Sequence, residues 1–276
     1  MAAFVFYLAL FTGLVALLVC FSFAIAWYEY ANRDPQLLER GRPLRRLLFV
    51  LGLILSETLF LSLTILLQPI GWLNRKQPSP CTTETPIIFL HGLMQSPACW
   101  LWIKFCLKRQ GFTALYSIAL PPWKDVEVLT ERLARQVDRI RHATDLQKVH
   151  LVGHSMGGMI ARNYLQIRGG AEKVDRCLLI GTPNEGSKLA PFALSALGRL
   201  LMPGSVFLQR LAAAPLPAEA RVCVLYSRHD NMVIPYENGR LEGTTSVELR
   251  NIGHVGLLFS RRVLQVLVDL LQEKAP

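Results

Sequence analysis

Residues 148–162 constrain the fold more than any other stretch of the chain. Val149, His150, Leu151 and Val152 form a short run rich in β-formers that enters Gly153-His154-Ser155-Met156-Gly157-Gly158, and a helix-forming run leaves it. A strand that turns into a helix within one residue leaves no room for a Cβ where its two arms cross, so glycines at 153 and 157 fit a tight turn. Such a turn lifts the Ser155 side chain clear of the sheet and aims a helix N-terminus at whatever lies above it. Two readings follow: a nucleophile elbow with Ser155 at its tip, or a Gly-rich turn that cradles a phosphate.

The rest of the domain places this turn in an α/β fold. Residues 86–90 are a continuous apolar run, as expected of a strand buried on both faces of a parallel sheet. Residues 99–110 have helical spacing and 113–118 read as a second strand. Residues 125–142 form the clearest amphipathic helix, with Leu129, Leu133, Val137 and Ile140 on one face. Strands are expected again at 149–152, 174–180, 222–226 and 246–249, with a closing helix over 262–271. Strand and helix alternate throughout, which argues for a mostly parallel sheet with helices on both faces. Residues 184–217 break the rhythm: 189–211 is apolar apart from Arg199 and Arg210. Its length favours a mobile lid over a hydrophobic site, against an ordinary crossover helix.

Hydrophobic residues make up 51% of the 276, and the N-terminus concentrates them. No Lys, Arg, Asp or Glu occurs before Glu29, and residues 2–27 are long enough to cross a bilayer; residues 47–73 form a second apolar run with Glu57 as its single charge. Residues 1–73 therefore read as a membrane anchor of two transmembrane helices. A cleaved signal peptide is the competing reading of the first run, disfavoured by its length and by the lack of a basic start. Residues 74–85, polar with two prolines, read as a linker to a catalytic domain over 86–276. Arg33, Arg40, Arg42, Arg45 and Arg46 lie between the spans. The positive-inside rule puts that loop in the cytoplasm and the domain on the periplasmic or outer side of a bacterial-type inner membrane. Glu57 costs roughly 2.5 to 3.5 kcal/mol at mid-membrane, and a hydrogen bond to the first helix is the simplest expectation for it.

The net charge is +10, and residues 81–276, with 23 basic and 16 acidic side chains, keep +7 of it. That favours approach to anionic headgroups. No basic motif interleaved with aromatics points to nucleic acid. The six cysteines lack metal-ligand spacing; Cys177 and Cys223 fall in apolar strands, and a bridge among Cys81, Cys99 and Cys106 is open if the domain is periplasmic.

A serine hydroxyl attacks only when a base takes its proton and an acid holds that base in the right tautomer. Of the six histidines, His254 alone follows the last strand in a loop before the closing helix, and Asp230 comes just after the strand at 222–226. Carboxyl ends of parallel strands are where ligands and catalytic groups gather. Ser155, Asp230 and His254 are thus the candidate nucleophile, acid and base, with an Asx-turn role for Asp230 as the plainer reading. The N–H groups of Met156, next after the nucleophile, and of Leu93, in the loop after the first strand, are the candidate oxyanion donors.

Phe89-Leu90-His91-Gly92-Leu93, Val152 to Gly158, Gly181-Thr182-Pro183-Asn184-Glu185-Gly186-Ser187, and the late Asp230 and His254 resemble the bacterial lipases and related esterases of the α/β-hydrolase superfamily. The resemblance covers roughly residues 86–270, and that group usually carries histidine where this chain has Asn184. It implies an α/β-hydrolase fold with a reduced sheet lacking the first antiparallel pair, and a lid after Gly181-Thr182-Pro183. It also implies a serine hydrolase that cleaves esters of lipids or other apolar acids through an acyl-enzyme, with no metal or organic cofactor. An acyltransferase with the same triad and a non-catalytic membrane scaffold of the same fold remain as alternatives.

Overall fold

The computed structural model describes residues 1–33, 43–73 and 84–272. The expected linker, Cys81, Arg40 and Arg42 fall largely or wholly outside the described residues. The chain opens with two long apolar helices, α1 (Ala2–Arg33) and α2 (Pro43–Leu66), and a short α3 (Gln68–Leu73). Both long helices are apolar enough, over a sufficient length, to cross a bilayer. They pack together through Val15, Val19, Phe23 and Leu53. α2 turns Leu44, Leu48, Leu51, Leu55, Leu59 and Leu66 outwards, an exposed stripe at helical spacing.

The domain then runs β1 (Ile87–Leu90), α4 (Leu101–Arg109), β2 (Leu115–Ile118), α5 (Val126–Thr144), β3 (Val149–His154), α6 (Met156–Gln166) and β4 (Val174–Ile180). It continues through α7 (Ala196–Arg199), α8 (Val206–Ala213), β5 (Arg221–Ser227), β6 (Thr245–Leu249) and α9 (Arg261–Gln272). The six strands form one sheet in the order β2-β1-β3-β4-β5-β6. Every pairing is parallel, as the reduced sheet requires. Parallel neighbours need a crossover on a face of the sheet, which is why the strands read as unbroken apolar runs.

Two cores result. Ile88, Leu151, Val224 and the helices α5, α6 and α8 fill one face. Ile87, Phe89, Val152, Leu225 and the helices α4 and α9 fill the other. In α5, Leu129, Leu133, Val137 and Ile140 are all buried, as its spacing requires. The insert after β4 is anchored rather than loose along its length: Leu197, Leu201, Phe207, Leu208 and Leu211 are buried in the first core, while Phe192, Leu194 and Val206 are exposed at its rim. Cys177 and Cys223 are buried in β4 and β5, while Cys99 and Cys106 hold free thiols and do not bridge each other.

The helical pair does not stand off on a stalk. Phe49 meets His229, Phe60 stacks on Phe259, and α3 rests against the turn at Pro97–Trp100. From α1, Glu29 pairs with Lys188 at 2.7 Å and Tyr30 donates to the Arg228 carbonyl.

Candidate active site

The register aligns the carboxyl ends of the strands. Leu90 faces Gly153, His154 faces Ile180, and Ser227 faces Leu249. Every candidate residue therefore leaves the sheet at one end. Ser155 sits between β3 and α6 at φ 53°, ψ −122°, a conformation few non-glycine residues adopt. The turn is forced by close approach: a Cβ on Gly157 would lie 2.3 Å from the Leu90 carbonyl oxygen. Ser155 N–H donates to the Ile180 carbonyl at 2.9 Å, which ties the elbow to β4.

The loop after β1 lies against the elbow, since a Cβ on Gly92 would be 3.2 Å from Ser155 Cβ. His91 holds that loop: Nε2 accepts from Leu120 N–H at 2.9 Å, so Nδ1 carries the proton and donates to the Gly92 carbonyl. Burial pushes the His91 pKa down to about 4, and the ring stays neutral. Gln95 Oε1 takes the Gly92 N–H. Among the described residues, the N–H groups of Leu93 and Met156 have no hydrogen-bond partner. Free backbone donors, one at a helix start and one in the loop after β1, are what a developing oxyanion requires.

The structure brings Asp230 and His254 together. His254 Nδ1 lies 2.8 Å from Asp230 Oδ2 and 3.0 Å from Oδ1, with both residues buried. Asp230 Oδ1 also accepts from Met232 N–H and Val233 N–H, which fixes the carboxylate in its own turn. The Asx-turn bonds and the contact with His254 thus coexist in one side chain. Burial pulls the His254 pKa down, but the charge and hydrogen bond of Asp230, with the charge of Glu57, outweigh it and leave it above the ordinary histidine value. The ring sits at the elbow: the His154 imidazole is 4.7 Å away between centroids, and a Cβ on Gly181 would be 3.3 Å from His254 Nδ1.

Asn184, which departs from the lipase motif, ties its loop instead to a helix and a turn. It accepts from Arg162 Nη1 at 3.2 Å and donates to the Gly239 carbonyl at 2.8 Å.

Glu57 is the correction. It makes no hydrogen bond to α1; its carboxylate accepts from Val255 N–H and Gly256 N–H in the loop that carries His254. Ser22 and Asn231 were also not legible as site residues: Asn231 donates to Ser22 Oγ and accepts from His254 N–H. The contacts of Glu57 and Ser22 span about 200 residues of sequence, and no local pattern encodes them.

Among the described residues, no group of three or more His, Cys, Asp or Glu side chains is arranged to hold a metal ion. A cavity of about 510 Å³ opens beside Trp123, Leu194, Leu197 and Leu200, under the exposed rim of the insert.

Residues 85–202 match the family described as alpha/beta hydrolase fold. The chain is similar to a triacylglycerol lipase of Pseudomonas fragi, 30% identical over 113 residues, 39% of this chain and 38% of that protein. It is also similar to one of Pseudarthrobacter phenanthrenivorans, 29% identical over 124 residues, 42% and 38% of the two chains. The match thus spans little more than a third of these relatives. A solved Bacillus licheniformis lipase in propeptide form superposes with TM-score 0.61 at 23% identity, over 70% of this chain and 51% of that one. Lipase B of Aspergillus fumigatus gives TM-score 0.61 at 16% identity, over 73% and 56%. Family match and fold agree with the α/β-hydrolase fold that the motifs imply, and the sequence relatives named over that stretch are lipases.

Proposed function

From a chain with the α/β-hydrolase fold, we propose a serine hydrolase that cleaves carboxylic esters of lipids or other apolar acids. The observation that carries this reading is the buried Asp230–His254 pair, 2.8 Å apart, at the same sheet end as a serine on a strained elbow. Asp230 fixes the proton on His254 Nδ1, leaving Nε2 to take the Ser155 proton as Oγ attacks the ester carbonyl. Negative charge on the carbonyl oxygen falls to the Leu93 and Met156 N–H groups. His254 then protonates the leaving alcohol, and water repeats the sequence on the acyl-enzyme. Proton and acyl transfer of this kind call for no metal or organic cofactor.

The apolar substrate class rests on the apolar insert, which packs against the Leu93 loop, since a Cβ on Gly198 would lie 2.9 Å from Leu93 Cδ2, and the exposed rim of that insert serves as the lid. The leucine stripe of α2 faces lipid in this reading, and the arginines between the two helices put that connection on the cytoplasmic side. A fluorophosphonate probe should label the detergent-solubilised wild type and leave Ser155→Ala unlabelled; labelling of both would sink the assignment. Product analysis of the same enzyme with and without a lipid alcohol separates hydrolysis from acyl transfer to that alcohol.

A further inference from the structure

A membrane anchor needs no polar contact with the domain it holds, yet polar side chains of this one reach three of the loops around the candidate site. Glu57, 1% exposed, lies in an apolar helix where a carboxylate is disfavoured unless it is used. Both its oxygens are spent on the loop just past His254: Oε2 accepts from Val255 N–H at 2.9 Å and Oε1 from Gly256 N–H at 2.6 Å. The loop is shaped to admit it, because a Cβ on Gly253 would lie 2.2 Å from Glu57 Cγ. From α1, Ser22 Oγ accepts from Asn231 Nδ2 at 2.7 Å, and Asn231 Oδ1 accepts from His254 N–H at 3.0 Å. From the first residue of α3, Gln68 Nε2 donates to the Met94 carbonyl at 2.6 Å, in the loop that carries Leu93. The loops bearing the acid, the base and one oxyanion donor therefore each take a polar contact from the N-terminal helices.

We infer that these helices are a working part of the catalytic site, with Glu57 as the positioning residue of the His254 loop, an inference that rests on the hydrolase reading above. The carboxylate holds two consecutive N–H groups, and bonds to a carboxylate are about twice as strong as neutral ones. That fixes the backbone of the loop that carries the His254 ring. Three titratable groups face that ring: Asp230 from the turn after β5, Glu57 from α2 and His154 from the elbow. The two carboxylates favour the imidazolium, while burial opposes it. Removing the charge of Glu57 therefore lowers the pH at which His254 becomes an active base, a change that a purely structural contact would not produce.

The test uses the full chain in detergent micelles, with p-nitrophenyl butyrate hydrolysed across a pH series and fluorophosphonate labelling alongside. Glu57→Gln keeps the shape but places an amide NH₂ against one of the two N–H groups. Losing one charge-assisted hydrogen bond predicts a kcat lowered about tenfold to hundredfold. KM should stay near the wild-type value, and the acid limb of kcat/KM should move to lower pH. Ser22→Ala, which deletes one hydroxyl, should lower kcat several-fold; it carries the test if Glu57→Gln loses the wild-type melting transition. An active, labelled wild type whose kcat and acid limb are unchanged in the folded variants overturns the inference alone. A wild type that neither turns over nor labels overturns the hydrolase reading and this inference with it.

Discussion

Replacing Asp230 by Asn gives the sharpest test of the proposed chemistry, because the structure dictates how the new amide must sit. Asp230 Oδ1 already accepts from Met232 N–H and Val233 N–H at 2.8 and 2.9 Å. The asparagine oxygen has to take that position, since turning the amide over would set its NH₂ against two backbone donors. The NH₂ group then replaces Oδ2, which lies 2.8 Å from His254 Nδ1. The donor there faces Nδ1 more closely than the retained oxygen at 3.0 Å, so Nδ1 accepts and the single proton of the neutral ring moves to Nε2. With Nε2 protonated, the ring has no lone pair for the Ser155 proton. Loss of the correct tautomer in a triad lowers kcat by about 10⁴-fold, equivalent to about 5.4 kcal/mol at 1.36 kcal/mol per decade. Volume and burial hardly change, so thermal unfolding should stay near the wild-type midpoint. Initial rates on p-nitrophenyl butyrate, with active sites titrated by fluorophosphonate, give the number. A folded Asp230→Asn protein that keeps more than a tenth of the wild-type kcat would refute the tautomer argument.

Three further outcomes follow from the same geometry. Because the His254 pKa stands above about 6.5 and its neutral form is the base, kcat/KM should fall as pH drops through a midpoint higher than that, as read from a pH–rate profile. Gly157→Ala should destabilise the fold by about 3 kcal/mol, the upper end of ordinary overpacking, as measured by denaturant unfolding. Its new Cβ meets the Leu90 carbonyl oxygen at 2.3 Å, and backbone cannot swing aside as a side chain does. Acid should weaken the fold already above the ordinary carboxylate range. His91 titrates at about 4 when folded but near 6.5 when unfolded, so the unfolded chain binds the extra proton first. Stability present above about pH 6.5 is lost as pH falls to about 4, by roughly 3 kcal/mol from this one group. A melting midpoint that stays level across that window would contradict a buried, neutral His91.

The strands were legible because a parallel sheet covered on both faces needs continuous apolar runs, and 86–90, 149–152 and 174–180 are such runs. The elbow was legible because its steric demand falls on residues adjacent in sequence: Gly153, Ser155 and Gly157 are the motif and the turn at once. Asp230 and His254 could be picked from many carboxylates and six histidines because topology alone carries the residues after β5 and β6 to one end of the sheet. What makes a site of them is then a matter of a few loops of short reach.

The N-terminal helices show where that legibility stops. Length and hydropathy marked 2–27 and 47–73 as apolar helices, but both quantities are local and describe only how a segment partitions out of water. Whether such a helix hangs from the domain by a linker or lies against its catalytic loops depends on shape and on pairing polar groups far apart in the chain. Glu57 illustrates the difference. Read in sequence it is one costly carboxylate with a neighbour on α1 as its expected partner; in the fold its oxygens meet Val255 and Gly256, 198 and 199 residues away. The sequence by itself determined the α/β order, the elbow and the identity of the candidate triad. Only the tertiary structure decided that Ser22, Glu57 and Gln68 belong beside it, because a buried polar group is satisfied by whatever the whole fold brings within 3 Å, and no local rule names that partner.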